Sequence, residues 1–472
     1  MNKSAQGTAP RLAPLVAALF AALLLSACST TPELQSAPID MPSAFKEAPD
    51  GTRWKLAQPA EAQARGAWWL AFNDPALTAL IDEASAANAS LAVAAARVKQ
   101  SRALAGLAES ERSVQVGAGL GAQRSGADGV PSASQYQARL TASYEVDLFG
   151  RVGAGVAAAR ADAAASEATY KSVLLSLQAD VAQTYFRLRE TDAELATLDR
   201  AVELRAQGVK VNQSRFDNGD IGEFDLARAK TELANARAEA IGLQRQRVQG
   251  EHALAVLLCK AAAMFSAGVN PLPDAGVLPV IPAGLPSRLL ERRPDIAAAQ
   301  RAMVASNARI GVAKAAMFPA LLLNGGLGTD AASVSNLFKW SAHSWVLGAL
   351  MSLPIVDGGR NKANVARSQA VLEESVAAYR QNVLVAFAEV EDNLAGLRIL
   401  GGQAEQLDAA VVSARRSADL AQKLYSAGRS SYLDLLDAQR NLAAVERNAV
   451  QLRGSRAVTT VALIRSLGGS WE

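Results

Sequence analysis

At 472 residues the chain has material for two or three ordinary domains, yet half of it is hydrophobic and only 5% is aromatic. Much of the apolar content is alanine, which favours long, closely packed helices over one large aromatic core. The net charge is +3, and the first 27 residues hold two of the cations, leaving 46 basic against 45 acidic side chains; this balance offers nothing to nucleic acid. The two histidines, His252 and His343, and the two cysteines, Cys28 and Cys259, have neither metal-ligand spacing nor a nucleophile arrangement, so neither a metal site nor an enzyme is expected.

The N-terminus reads as a targeting segment: Lys3 and Arg11 precede an apolar run, Leu12 to Leu25, too short to span a bilayer. The run ends in Leu25-Ser26-Ala27-Cys28, which resembles the bacterial lipoprotein box. That resemblance implies removal of residues 1–27 and a covalent lipid on Cys28, with no other cofactor; the alternative is an ordinary secretory peptide with a chance cysteine. Ser29 stands where enteric lipoproteins retained in the inner membrane carry aspartate, which favours the outer membrane. Residues 28–75 contain prolines together with Trp54, Trp68 and Trp69, and read as an irregular segment wrapped on helices.

An internal repeat organises the rest. At an offset of 209, residues 151–259 overlay 360–468 without a gap, with about 30 identities, among them Tyr170/Tyr379, Val181/Val390, Gly219/Gly428 and Leu226/Leu435. Repeat one covers 76–259 and repeat two 288–468, joined by a proline-rich linker at 260–287 and followed by a short tail at 469–472. Ahead of each long helix lies a predicted β-hairpin, at 113–148 and 319–354. In the first, Tyr136, Ala138, Leu140, Ala142, Tyr144, Val146 and Leu148 alternate with polar residues. In the second, Trp345, Leu347, Ala349, Met351 and Leu353 share one face, with weaker alternation. Strands of about ten residues, apolar on one face and polar on the other, suit a membrane barrel. Four strands cannot close, so a homo-oligomer is required, eight strands from two chains or twelve from three; a soluble sheet packed on helices is the alternative.

Apolar residues then recur every seven: Leu174, Val181, Leu188, Leu195, Val202, Val209 and Phe216, and in the second copy Val383, Val390, Leu397, Val411 and Tyr425. No proline interrupts residues 151–217, so continuous helices about 100 Å long are predicted over 151–217 and 360–426. Glycine turns at 217–220 and 426–429 end them, and second helices follow over 223–258 and 431–467. Ser431 is placed to cap the last helix with Asp434 three residues on. Cys259 ends an apolar helical stretch, lacks a disulfide partner once Cys28 is lipidated, and is expected to be buried.

The blocks LLERRPDIAAAQRAMVASNARIGVAKAAMFP (289–319), LPIVDGGR (353–360) and YEVDLFGR (144–151), with the lipobox, resemble the outer-membrane factors of tripartite efflux. These are TolC-like channels, and within them the OprM-like or NodT-type lipoproteins. The resemblance covers nearly the whole mature chain. It implies a mainly α fold with a membrane β-barrel portion: a homotrimeric 12-stranded barrel on a periplasmic α-helical barrel. Its implied partners are a periplasmic adaptor, an inner-membrane RND-type pump and outer-membrane lipid. A stand-alone porin-like channel leaves helices of about 100 Å without a role, and a lipid-anchored coiled-coil scaffold leaves the strands without one.

The resemblance also bears on the phrase LYSAGRSSYLDLLDAQR, 424–440. Positions matching Leu433, Asp434, Asp437 and Arg440 carry the family's periplasmic constriction; Tyr425, Asp225 and Arg228 are expected to accompany them. Ser430 stands where TolC-like members carry a gate arginine. Repeat one keeps the first acid as Asp225 but has Arg228 in place of Asp437, so the second acid is not required by the hairpin itself. Asn218, Gly219, Asp220, Gly428, Arg429 and Ser430 form the tip expected to meet the adaptor.

Overall fold

A computed structural model of the chain describes residues 30–34, 45–47, 66–273, 278–279, 281 and 292–469. Expectations for the signal peptide, Cys28, Trp54 and much of the linker lie outside these residues. The described segments form two compact units, one from 30–34, 97–167 and 298–381, the other from 45–47, 66–96, 168–273, 278–279, 281, 292–297 and 382–469. Each unit draws on both repeats, so the repeats are not separate bodies.

The first unit holds one four-stranded antiparallel sheet in the order β1 (Gln115–Ala127), β2 (Val130–Val146), β3 (Ala320–Ala331), β4 (His343–Ser352). Its register aligns the apolar sets. Leu120 lies opposite Ala138, Leu140 pairs with both Ala118 and Leu327, and Leu327 pairs with Trp345. One face is thereby apolar across all four strands, and it is open: Leu120 is 86% exposed, Trp345 76% and Leu347 79%. Val346 and Leu350 of β4, on the opposite face, are also exposed, which is the weaker alternation already visible in that strand. The opposite face carries Arg139 against Asp330 at 3.5 Å, with Ser344 Oγ donating to Asp330 at 2.9 Å. β1 and β4 each leave one edge unpaired among the described residues.

The helices are α1 (Pro75–Ala87), α2 (Ala89–Ser110), α3 (Arg151–Asp217), α4 (Glu223–Leu257), α5 (Pro294–Ala315), α6 (Arg360–Ser426) and α7 (Tyr432–Ser466). The two longest run 67 residues each without a break, as the absence of proline allows. Among the described residues no helix is long and apolar enough to cross a membrane.

The motifs of the sequence mark where elements join. Asp147 of YEVDLFGR accepts from Val152 N at 3.0 Å and Gly153 N at 2.7 Å, capping α3, while Glu145 clasps Arg151 with two hydrogen bonds of 2.7 Å. Asp357 of LPIVDGGR does the same for α6, accepting from Gly359 N and Asn361 N at 2.9 Å. These backbone donors hold the Asp357 carboxyl below the usual range. Arg293 of the RRPD block is buried and binds Asp295 at 2.7 Å, Glu389 of α6 at 2.5 Å and the Ser466 carbonyl of α7 at 3.3 Å.

The second unit packs around Leu77, Ile81, Val181, Leu188, Leu254, Val461 and Ile464, all with 2% exposure or less, with Trp68 buried beside them. Trp68–Phe72 forms a 3-10 turn whose Trp68, Trp69 and Phe72 pack against this cluster. Asp74 caps α1 through Ala76 N and Leu77 N and also accepts from Tyr185 Oη of α3 at 2.7 Å.

One expectation is corrected. Cys259 is exposed, not buried. It lies two residues past the end of α4, just after the C-cap Leu258, with φ +58°, the left-handed position that ends a helix, and Lys260 N closes the turn onto Ala255 O at 2.9 Å. At the 209 offset the same position is Gly468, φ +89°. The side chain sits on the left-handed residue past the helix end, so the apolar stretch before it does not bury it.

Candidate functional site

In the second unit the α3–α4 and α6–α7 turns repeat the same backbone device. Gly219 N binds Phe216 O at 2.9 Å and Asp220 N binds Arg215 O at 2.8 Å; Gly428 N binds Tyr425 O at 3.0 Å and Arg429 N binds Leu424 O at 2.9 Å. Both glycines sit at positive φ, +77° and +68°, where a side chain is strained. Asn218, Gly219, Asp220, Gly428 and Arg429 are exposed, and Ser430 is half-buried with its Oγ unpartnered.

The helices that follow begin differently. α4 starts after Gly222, which has no side chain to cap with. α7 starts at a capping box: Asp434 N donates to Ser431 Oγ at 3.2 Å, and Asp434 Oδ2 accepts from Ser431 N at 3.0 Å. Asp434 is thus occupied in starting the helix. Asp437 is not: its side chain is 64% exposed, and among the described residues it is ion-paired with Arg440 at 3.7 Å.

Arg440 is directed elsewhere. Its Nε donates to Glu232 Oε2 at 3.0 Å and its Nη2 closes on Glu232 Oε1, a forked pair joining α7 to α4. Glu232 is buried, and its hydrogen bond raises the Arg440 pKa further, so the guanidinium stays charged at any working pH. A second bond joins α6 to α3: Tyr425 Oη donates to the buried Asn212 Oδ1 at 2.7 Å. Tyr425 packs against Tyr432 at 5.7 Å, within a cluster containing Ala229, Leu435 and Leu436, and Arg215 lies over its ring at 5.3 Å. Tyr425 is therefore a packing residue between hairpins. Burial raises the Tyr432 pKa, helped by Tyr425 and Glu232 nearby.

Of the remaining expected residues, Asp225 lies in the first turn of α4, and Arg228 covers the ring of Phe224 at 5.4 Å. Leu433 and Phe224 occupy equivalent places in the two repeats and are 40% and 72% exposed. Sequence reasoning passed over Glu232, Asn212 and Phe224. Glu232 and Asn212 look like solvated helix residues until a partner helix is known, but Phe224 was legible as the 209-offset partner of Leu433.

A larger polar cluster also went unread. Asp192, with no side-chain exposure, accepts from Arg247 Nε at 2.7 Å and from Asn270 N at 3.0 Å, with Arg189 at 3.4 Å. Arg189 donates to Gly268 O at 2.8 Å, and Arg247 to Ala267 O at 2.7 Å. The group clasps the beginning of the inter-repeat linker onto α3 and α4.

Two long-helix hairpins with glycine-turn tips, a shared sheet with an open apolar face, and hairpin-to-hairpin ion pairs define a class of membrane channel subunits with extended helices. The chain belongs to the outer membrane efflux protein family, whose model matches residues 80–260 and 285–469. It is 31% identical over 454 residues to the cation efflux system protein CusC of Escherichia coli O6:H1, covering 96% of this chain and 97% of that one. It is 34% identical over 471 residues to the pyoverdine export outer membrane protein OpmQ of Pseudomonas aeruginosa, covering 96% of both. The open-state outer membrane channel MtrE of Neisseria gonorrhoeae superposes with a TM-score of 0.83 at 30% identity, over 94% of this chain and 98% of that one. The protein is an outer-membrane channel component of an efflux system.

Proposed function

We propose that the chain acts as a homotrimeric, passive exit duct, lipid-anchored at Cys28 and gated at the α3–α4 and α6–α7 turns. There it would meet a periplasmic adaptor that links it to an inner-membrane RND-type pump. The gate reading is supported by one observation: Asp437 is a loosely held acid at the start of α7, 64% exposed with Arg440 at 3.7 Å, whereas Asp434 is held by Ser431 and Arg440 itself is forked onto Glu232. Threefold symmetry turns one projecting acid into a ring of three, which attracts cations and narrows the path, with Leu433 beside it. The Arg440–Glu232 and Tyr425–Asn212 bonds hold the two hairpins together in the closed arrangement. Opening then requires the α6–α7 hairpin to leave the α3–α4 hairpin.

Single-channel recording of the purified assembly tests this. Asp437→Ala is expected to lower cation preference, and Glu232→Gln to raise conductance by loosening the forked pair. Unchanged conductance and selectivity in both variants would sink the gate assignment. The relatives' names, one a cation efflux protein and another a pyoverdine exporter, are consistent with a generic duct whose selectivity lies with the pump.

A further inference from the structure

The lipobox resemblance accounts for Cys28 and leaves open what holds the residues after it. In the first unit, Thr30, Thr31 and Pro32 lie along α5. Thr30 Oγ1 stands 3.0 Å from the carbonyl oxygens of both Phe149 and Gly311, sharing one proton between them. Asn307, one helical turn before Gly311 and buried, donates from Nδ2 to Pro32 O at 2.8 Å. Gly311 has no side chain where the segment crosses: a Cβ there would overlap Thr31 Oγ1 and stand 3.0 Å from Thr31 Cβ and 3.1 Å from its Cα.

The other repeat supplies an internal control. α2 and α5 begin 205 residues apart, as do β1 and β3, and the glycine 205 residues before Gly311 is Gly106. A Cβ at Gly106 meets nothing within 4 Å. The same glycine is open in one repeat and covered by the N-terminal segment in the other, so the close approach is a property of the segment and not of the helix.

The level of this contact is informative. Phe149 lies between β2 and α3 and stacks on Phe318, just before β3, at 4.8 Å and 16°. Thr30 is therefore fixed at the junction where strands give way to helices. Cys28 is two residues away, within about 7 Å of extended chain.

We propose that the Gly311–Asn307 face of α5 is a docking seat for residues 30–32, holding the N-terminus at the strand–helix junction so that an acyl chain on Cys28 enters the bilayer beside the strands. Gly311 is the residue that admits the segment. The statement about the acyl chain rests on reading Cys28 as lipidated; the seat does not.

The test uses the full chain in outer-membrane vesicles, with limited proteolysis N-terminal to Phe45 as one readout and the mass of the N-terminal peptide as the other. Gly311→Val is expected to raise the cleavage rate about tenfold or more, since the seat is filled and the shared hydrogen bonds are lost. Thr30→Val, which leaves the helix untouched, is expected to raise it by a smaller factor, and Gly106→Val to leave it at the wild-type rate. Wild-type cleavage in both Gly311→Val and Thr30→Val overturns the seat. Equal acceleration in Gly106→Val and Gly311→Val also overturns it, because the effect would then belong to the helices. An unacylated N-terminal peptide with a protected segment overturns the lipid reading and leaves the seat standing.

Discussion

Cys259 and Gly468 perform the same task at the ends of α4 and α7, a residue at positive φ, with different chemistry. A non-glycine residue in the left-handed region carries a penalty of about 1–2 kcal/mol from the approach of Cβ to the backbone. Cys259→Gly is therefore expected to stabilise the protein by about 1 kcal/mol, seen as a higher thermal midpoint for the heat-dissociated assembly. Gly468→Ala is expected to go the other way and further. It adds the same strain, and its Cβ would come within 3.0 Å of the Arg292 backbone. An equal response to the two substitutions would mean that backbone conformation does not set the difference. The same scale explains Asp434 and Asp437. They stand three residues apart on one helix, yet one carboxylate is bound to its own helix start and the other is exposed with only a long contact to Arg440 at 3.7 Å.

Among the elements, those with a period were legible before any coordinates. The 209-residue offset and the absence of proline gave both 67-residue helices, and strict alternation gave β1 and β2. What had no period was hidden. Asp192 and Arg189 follow Leu188 on α3 and read as solvent-facing charges, because nothing in one helix shows that the linker will fold over them. Glu232 was hidden for the same reason, since its partner Arg440 lies 208 residues away. The clasp makes a strong prediction. Removing the Asp192 carboxylate leaves Arg247 and Arg189, 14% and 6% exposed, without their shared anion. Breaking one member of such a buried group costs about 3–5 kcal/mol. Asp192→Ala is expected to release residues 265–272 to protease and to lower the thermal midpoint sharply, with Asp192→Asn in between. A variant with wild-type protection of that linker would show that packing of Leu272 and its neighbours, not the charges, holds it down.

For the whole molecule the unresolved need is at the sheet. β1 and β4 are edges, and the face that is apolar across all four strands is exposed in the single chain. Open edges are not tolerated in lipid, where every backbone donor must be paired. Family membership places the chain in the outer membrane, and in the homotrimer proposed above the edges are closed by copies of the same chain. Adjacent strands lie about 4.8 Å apart, which puts β1 and β4 of one sheet about 14 Å from each other, beyond the roughly 7 Å that a disulfide spans. A disulfide between a cysteine on β1 and one on β4 must therefore join two chains. In a Cys28→Ser, Cys259→Ser background, doubly substituted chains such as Val116→Cys with Met351→Cys, scanned by two residues along each strand to find the register, are expected to oxidise in membranes to one covalent species. On denaturing gels that species should be three chains in mass, with no higher ladder, since a closed ring exhausts its edges at three links. A ladder would mean an open assembly, a two-chain limit would mean eight strands, and failure at every register would refute edge-to-edge closure altogether.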